Sequence, residues 1–194
     1  KEQGILPPGA ILTHISVLDP VKYHKLLIIG DVAIIPLPGL KEKQVIVNAL
    51  IETAHALGIT EPRVALIAAT EQALPAMQAC VDAAVLSKMA DRGQIRGGVI
   101  DGPMALDVAL DKESAVIKKV QSPVAGDADC LLFPNIESGN VFYKCHTKLL
   151  EGEVAAIVYG ASVPAILSSR GDSIRTKLYS IALAAMTSCL LYTS

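Results

Sequence analysis

Four loops rich in small and polar residues stand directly behind β-branched runs: Gly30-Asp31, Asp101-Gly102-Pro103, Pro134-Asn135-Ile136-Glu137-Ser138-Gly139-Asn140 and Ser168-Ser169-Arg170-Gly171-Asp172-Ser173. In open α/β sheets, ligands bind at that position, just past the carboxyl end of a strand. The third and fourth loops each lead into a helical pattern. The unpaired N–H groups and aligned peptide dipoles of a helix start attract anions. The fourth loop adds Arg170, whose guanidinium fork suits phosphate, with the Ser169 and Ser173 hydroxyls beside it. The same residues also read as an ordinary helix start, with Asp172 or Ser173 as the cap and Arg170 in solvent. Ser138-Gly139-Asn140 is likewise open between a cap with its turn and an anion site. Lys144, one turn further, reaches a phosphate or is solvated.

Other reactive residue types are scattered. Cys145 and His146 are adjacent, but neighbours on a helix point in different directions, so they read as structural rather than as a nucleophile and its base. No His, Cys or carboxylate spacing fits a metal site, and neither a Walker A loop nor G-x-G-x-x-G is present. The four Met residues read as core filler.

Those loops need elements to position them. Apolar runs predict strands over Ile11–Val17, Leu26–Ile35, Val64–Ala69, Gly98–Asp101, Cys130–Phe133, Ala156–Tyr159 and Pro164–Ser168. The runs are continuous rather than alternating, which suits a sheet covered on both faces. Between them, Lys41–Leu57 repeats apolar residues on one helical face and is followed by Gly58. Pro75–Arg92 begins with Pro and is followed by Gly93. Ser138–Leu150 and Ser173–Leu191 complete the helices; apolar residues nearly encircle the last, which predicts burial on most sides. Alternating strands and helices specify an α/β fold.

The chain has 194 residues, room for one large domain or two small ones, and 52% of them are apolar, enough to bury a core. A net charge of −2 and 4% aromatic residues leave no footprint for nucleic acid, as neither a basic surface nor stacking platforms are available. The most apolar stretch, Leu178–Tyr192, is shorter than the ~20 residues a bilayer requires and carries Ser and Thr, so no membrane partner is expected. The N-terminus has no apolar leader region. Four widely spaced Cys without a C-x-x-C pair read as buried free thiols of a reducing, cytoplasmic compartment.

Five motifs, in order, carry a resemblance: Ser87-Lys88-Met89-Ala90-Asp91-Arg92-Gly93-Gln94-Ile95, Asp101-Gly102-Pro103-Met104-Ala105-Leu106-Asp107, Val124-Ala125-Gly126-Asp127-Ala128-Asp129, Ser138-Gly139-Asn140-Val141-Phe142-Tyr143-Lys144 and Ser169-Arg170-Gly171-Asp172-Ser173. Through them the chain resembles the phosphate acetyltransferase / phosphate butyryltransferase family, nearest its butyryltransferase branch, with a large N-terminal portion of the family pattern lacking. The resemblance implies a fold like that of the isocitrate/isopropylmalate dehydrogenases, two α/β domains with a cleft between them. Residues 1–160 would form the second domain, and residues 161–194 would return to the first.

The reaction implied is reversible transfer of a short acyl group, butyryl or acetyl, between coenzyme A and inorganic phosphate. Coenzyme A serves as a substrate, with no tightly bound cofactor and no metal, in a homo-oligomer such as a dimer. The resemblance assigns Arg170 to phosphate and the developing oxyanion, and Ser169 to a hydrogen bond with thiol or carbonyl. Asp172 is the one carboxylate of this segment that can stand in as base, because the family's proposed catalytic Asp position holds Thr176 here. Ser138, Gly139, Asn140, Lys144, Asp31 and Asp101 are the remaining candidate substrate contacts. Where the family pattern often has Asn after the Gly30-Asp31 string, this chain has Ile35. Two alternatives stay open: a dimerising fragment that binds coenzyme A or phosphate without turnover, and a metal-dependent dehydrogenase using Asp101, Asp107 and Asp111 as ligands.

Overall fold

The computed structural model describes residues 4–167 and 171–191, with side chains as far as residue 188. Its centre is a six-stranded sheet of β1 (Thr13–Asp19), β2 (Leu27–Gly30), β3 (Arg63–Ile67), β4 (Val99–Met104), β5 (Cys130–Leu132) and β6 (Glu153–Tyr159), in the order β4-β3-β5-β2-β1-β6. β2, β5, β3 and β4 pair in parallel, while β1 runs antiparallel to both β2 and β6. Five strands therefore end on one rim, and β1 begins there.

Helices cover both faces, as the continuous apolar strands require. On one face lie α1 (Leu40–Ala56), α2 (Gln78–Asp91) and α6 (Ile174–Leu191), whose Ile46, Leu50, Leu86, Leu183 and Ala184 join Ile15, Ile28, Val64 and Cys130 in one core. On the other lie α3 (Leu106–Leu110), α4 (Lys112–Ile117) and α5 (Ile136–Lys144), with Val108, Ala115 and Tyr143 against Leu18, Ile29, Ala65 and Leu131. The α/β class holds, and the strand order differs from a uniformly parallel sheet only at β1.

Several boundaries differ from the sequence pattern for local reasons. The run Leu26–Ile35 ends as a strand at Gly30, because Asp31 turns the chain. Pro164–Ser168 forms no strand among the described residues; Ala165 makes a single bridge to Val158. The helix expected over Ser138–Leu150 begins at Ile136, capped by Asn135, and passes through a π-helical turn at Cys145–Leu149. α3 and α4 have five and six residues, too few for a helical period to be visible. α6 is not buried on most sides: Ile174 is 86% exposed, Leu178 60% and Ile181 58%. Cys80 and Cys130 are buried thiols, but Cys145 is exposed, contrary to the expectation for all four Cys.

The opposite rim is fastened by charge. Lys25 Nζ lies 2.7 Å from Asp129 Oδ1, and Arg63 pairs with Asp127, at the starts of β2, β5 and β3. No helix among the described residues is long and apolar enough to cross a membrane.

Candidate active site

The loops after β2 and β5 leave adjacent strands for opposite faces. From β2 the chain enters α1 on one face, and from β5 it enters α5 on the other. This divergence sets the two loops side by side at the carboxyl rim, where open α/β sheets bind ligands.

Asp31 organises that rim. Its buried carboxylate accepts from Thr13 Oγ1 (2.9 Å) and the backbone N–H of His14, Ala33, Ile34 and Ile35. Five protein donors saturate the group and shape residues 31–35 around it. Ile35 itself is buried and contributes its N–H, so the side chain at that position is apolar.

Helix α5 is stitched to this loop. Asn140 Nδ2 donates to Val32 O at 2.9 Å, and Gly139 lies so close that an added Cβ would sit 2.6 Å from Asp31 O. Asn135 rather than Ser138 caps α5: its Oδ1 accepts from Ser138 N at 3.0 Å, while Ser138 Oγ is 2.8 Å from the same oxygen. Thus Gly139 and Asn140 come up against the Asp31–Val32 backbone, while Ser138 is held by Asn135. Lys144 sits at the far end of α5, exposed, with Nζ 5.2 Å from the Tyr143 ring centre. Asp101 lies on β4, three strands from β2, or roughly 14 Å at usual spacing, and accepts from Gly102 N.

A second group gathers where β1 begins and β6 ends. His14 is buried, with Nδ1 3.3 Å from Ser16 Oγ and its ring edge-on to Tyr143 at 6.5 Å. Burial pushes the imidazole below its ordinary value, against the opposing pull of Asp31, the Leu167 backbone and Asp172. Burial, with Asp172 assisting, pushes the Tyr143 hydroxyl up to about 12. Asp172 therefore acts electrostatically on both rings. At the start of α6, Ser173 Oγ accepts from Thr176 N at 3.0 Å. Thr176 is buried in that cap, where the family pattern would place a carboxylate. Ser169 and Arg170 lie outside the described residues.

The chain matches the family model described as phosphate acetyl/butaryl transferase over residues 4–185. It belongs to that family. Within it, the chain is 50% identical over 186 residues to the phosphate butyryltransferase of Clostridium acetobutylicum, covering 96% of this chain and 62% of the relative. It is 40% identical to the phosphate acetyltransferase of Thermotoga maritima, over 93% of this chain and 62% of the relative. A branched-chain phosphotransacylase from Enterococcus faecalis V583 superposes with a TM-score of 0.85 at 30% identity, covering 96% of this chain and 67% of that one. The chain thus spans about three fifths of the length of the curated relatives it matches. The fold is the dehydrogenase-like α/β fold of the phosphotransacylases.

The metal-dependent dehydrogenase alternative loses its ligand set. Asp111 caps α4 through Ser114 N, Asp107 pairs with Lys118 at 2.9 Å, and Asp101 holds its own turn. No group of three or more His, Cys, Asp or Glu able to hold a metal occurs among the described residues. Nor do Cys145 and His146 pair: His146 is buried against Gly152 with Nε2 3.0 Å from Glu153 O. Sequence reasoning overlooked Thr13, His14 and Asn135. The last stood in a recognised loop as an Asn three residues before Ser138, a visible capping signal; His14 lay hidden inside an apolar run.

Proposed function

We propose that the protein is a phosphate acyltransferase: acyl-CoA and inorganic phosphate give an acyl phosphate and free coenzyme A, reversibly, with a short acyl group such as butyryl or acetyl. The single observation that carries this is 50% identity to a phosphate butyryltransferase over nearly the whole chain. In the forward direction a phosphate oxygen attacks the thioester carbonyl, the C–O bond forms, and the C–S bond breaks to release the coenzyme A thiolate, which takes up a proton. In reverse, a base removes the proton of a thiol whose ordinary pKa near 8.5 keeps it mostly protonated at neutral pH.

Arg170 holds phosphate and stabilises the carbonyl oxygen as it gains charge; Ser169 hydrogen-bonds thiol or carbonyl; Asp172 serves as base. Coenzyme A enters as substrate, without a tightly bound cofactor or a metal. Asp31, Ser138, Gly139 and Asn140 shape the rim, with Asp101 three strands away on β4 and Lys144 at the far end of α5 as further substrate contacts. Residues 1–160 would serve as one domain, and 161–194 as the segment returning to the other. Free thiols suit a cytoplasmic compartment. The exposed Ile174, Leu178 and Ile181 supply a self-association face.

Arg170→Ala tests the assignment. By the measure of a lost oxyanion donor, about 3 kcal/mol, phosphate-dependent thiol release from butyryl-CoA should fall roughly 100-fold or more. Unchanged turnover would remove Arg170 from the reaction.

A further inference from the structure

We propose that Lys43 and Asp82 are positioning residues for the carboxyl rim: their buried ion pair fixes the first turn of α1, and with it the loop after β2 that is hydrogen-bonded to the start of α5. The catalytic consequence rests on the acyltransferase reading; the positioning itself does not.

Lys43 Nζ lies 2.6 Å from Asp82 Oδ2, and Gln78 Nε2 donates to the other carboxylate oxygen at 2.8 Å. Both charged residues are buried, 4% and 8% exposed. Such a pair adds little stability over an apolar pair of similar volume, because withdrawing two charges from water offsets their attraction. Its distinctive contribution is direction. Gln78, one turn before Asp82 on α2, aims the carboxylate, and the ammonium from α1 meets it at one point. Apolar contacts tolerate a sliding helix, whereas here a slide or rotation of α1 would leave a buried charge unpaired.

The pair lies under the rim. Lys43 and Asp82 line a small cavity together with Ile67, at the end of β3, and Phe133 and Pro134, just past β5. Hydrogen bonds lead from the same turn of α1 to the candidate site. Glu42 Oε2 accepts from Gly39 N at 2.7 Å, which ties the end of the loop after β2 to that turn. Within the loop, Pro36 O accepts from Ile136 N at 3.0 Å, and Gly30 O accepts from Phe133 N at 3.1 Å. Ile136 opens α5, whose Gly139 and Asn140 press against Asp31 and Val32. A displaced first turn of α1 therefore moves Pro36, and Pro36 carries the start of α5. No assigned step brings Lys43 or Asp82 to the substrate, so their effect passes through these loops.

Removing one partner strands a buried charge, so the informative variant is Lys43→Met/Asp82→Leu, in which neither charge remains. Lys43→Arg keeps the pair and serves as the control. Amide hydrogen exchange at Ile136 reads the rim without requiring activity, and exchange at Gly126, whose N–H bonds Val108 O, reads general unfolding. The double variant should raise exchange at Ile136 roughly fivefold, the loss of one hydrogen bond, with Gly126 unchanged. Lys43→Arg should leave both at the parent rate. Gln78→Met, which keeps both charges but frees one carboxylate oxygen, should shift Ile136 the same way by less. In the phosphate-dependent thiol assay the double variant should raise KM for phosphate roughly 10-fold with a smaller change in kcat, and Lys43→Arg should match the parent. Unchanged Ile136 exchange in both the double variant and Gln78→Met would overturn the proposal, as would equal acceleration at Gly126. Selective exchange at Ile136 with an unchanged KM would overturn its catalytic consequence. Selective exchange in a protein without acyltransferase activity would instead uphold the positioning and refute the functional reading.

Discussion

Asp31 illustrates how much of this rim is held by one side chain. Removing its carboxylate leaves Thr13 Oγ1 and four backbone N–H groups without their acceptor. Because a buried unsatisfied donor costs 1–3 kcal/mol and several are involved, Asp31→Ala should lose about 3 kcal/mol or more in denaturant unfolding. Gly139→Ala should cost about 1–3 kcal/mol, since the new Cβ meets the Asp31 carbonyl oxygen, which is backbone and cannot swing aside. His14 sets a pH dependence. Its folded-state value lies below the ordinary 6.5, so below that pH the unfolded chain binds the extra proton. The stability from keeping the ring neutral is complete above pH 6.5 and is lost as pH falls through 6.5 towards the lower folded value. Unfolding curves of the parent and His14→Gln should therefore converge as pH is lowered below 6.5. At this scale the sequence pointed to Asp31, Gly139 and Asn140 as a loop and a helix start, but not to their contact, which joins residues more than a hundred positions apart. His14 was invisible because periodicity describes which face a residue takes and says nothing of what it will meet there.

At the scale of elements, α1 and α2 are joined by a buried ion pair, Lys43 Nζ to Asp82 Oδ2 at 2.6 Å, with Gln78 Nε2 bonding the other carboxylate oxygen. Breaking it on one side strands a buried charge, so Lys43→Met should cost about 3–5 kcal/mol. The double variant Lys43→Met/Asp82→Leu should recover most of that loss in thermal unfolding, because an apolar pair needs no compensation. At the start of α6, Ser173→Ala removes the cap to Thr176 N and should cost about 1 kcal/mol. The long helices were legible because α1 sustains an apolar repeat, α2 is bracketed by Pro75 and Gly93, and α6 is a long apolar run after a polar loop. The short α3 and α4 were not, because five or six residues show no helical period and their bounds depend on single side-chain bonds such as Asp111 to Ser114 N. The expected strand Pro164–Ser168 failed for another reason: a short apolar run was present, but among the described residues pairing reached only Val158 with Ala165.

Across the whole molecule, two features follow from topology. The reversal of β1 places its first residues, Thr13 and His14, on the same rim as the ends of the five parallel strands, so a mixed sheet contributes one more strand to the site. Continuous apolar runs announced a sheet covered on both faces but carried no direction, which explains why β1's orientation escaped the sequence. The encircling apolar pattern of α6 predicts burial on most sides, whereas the described structure leaves its outward face, with Ile174, Leu178 and Ile181, uncovered. If that face joins two copies, light scattering should return twice the chain mass, and Ile181→Glu should return the single mass. The family assignment came from motif strings rather than from physical periodicity, and the decisive Ser169-Arg170 pair belongs to a segment outside the described residues. The central claim is therefore tested most directly by chemistry. Butyryl-CoA would be offered with and without inorganic phosphate to this chain, and to a chimera adding the remaining length of the Clostridium acetobutylicum relative, with free thiol and hydroxylamine-trapped acyl phosphate measured together. The account predicts thiol release that requires phosphate, yields butyryl phosphate in equal amount and disappears with Arg170→Ala; thiol release that ignores phosphate, or none from either protein, would contradict it.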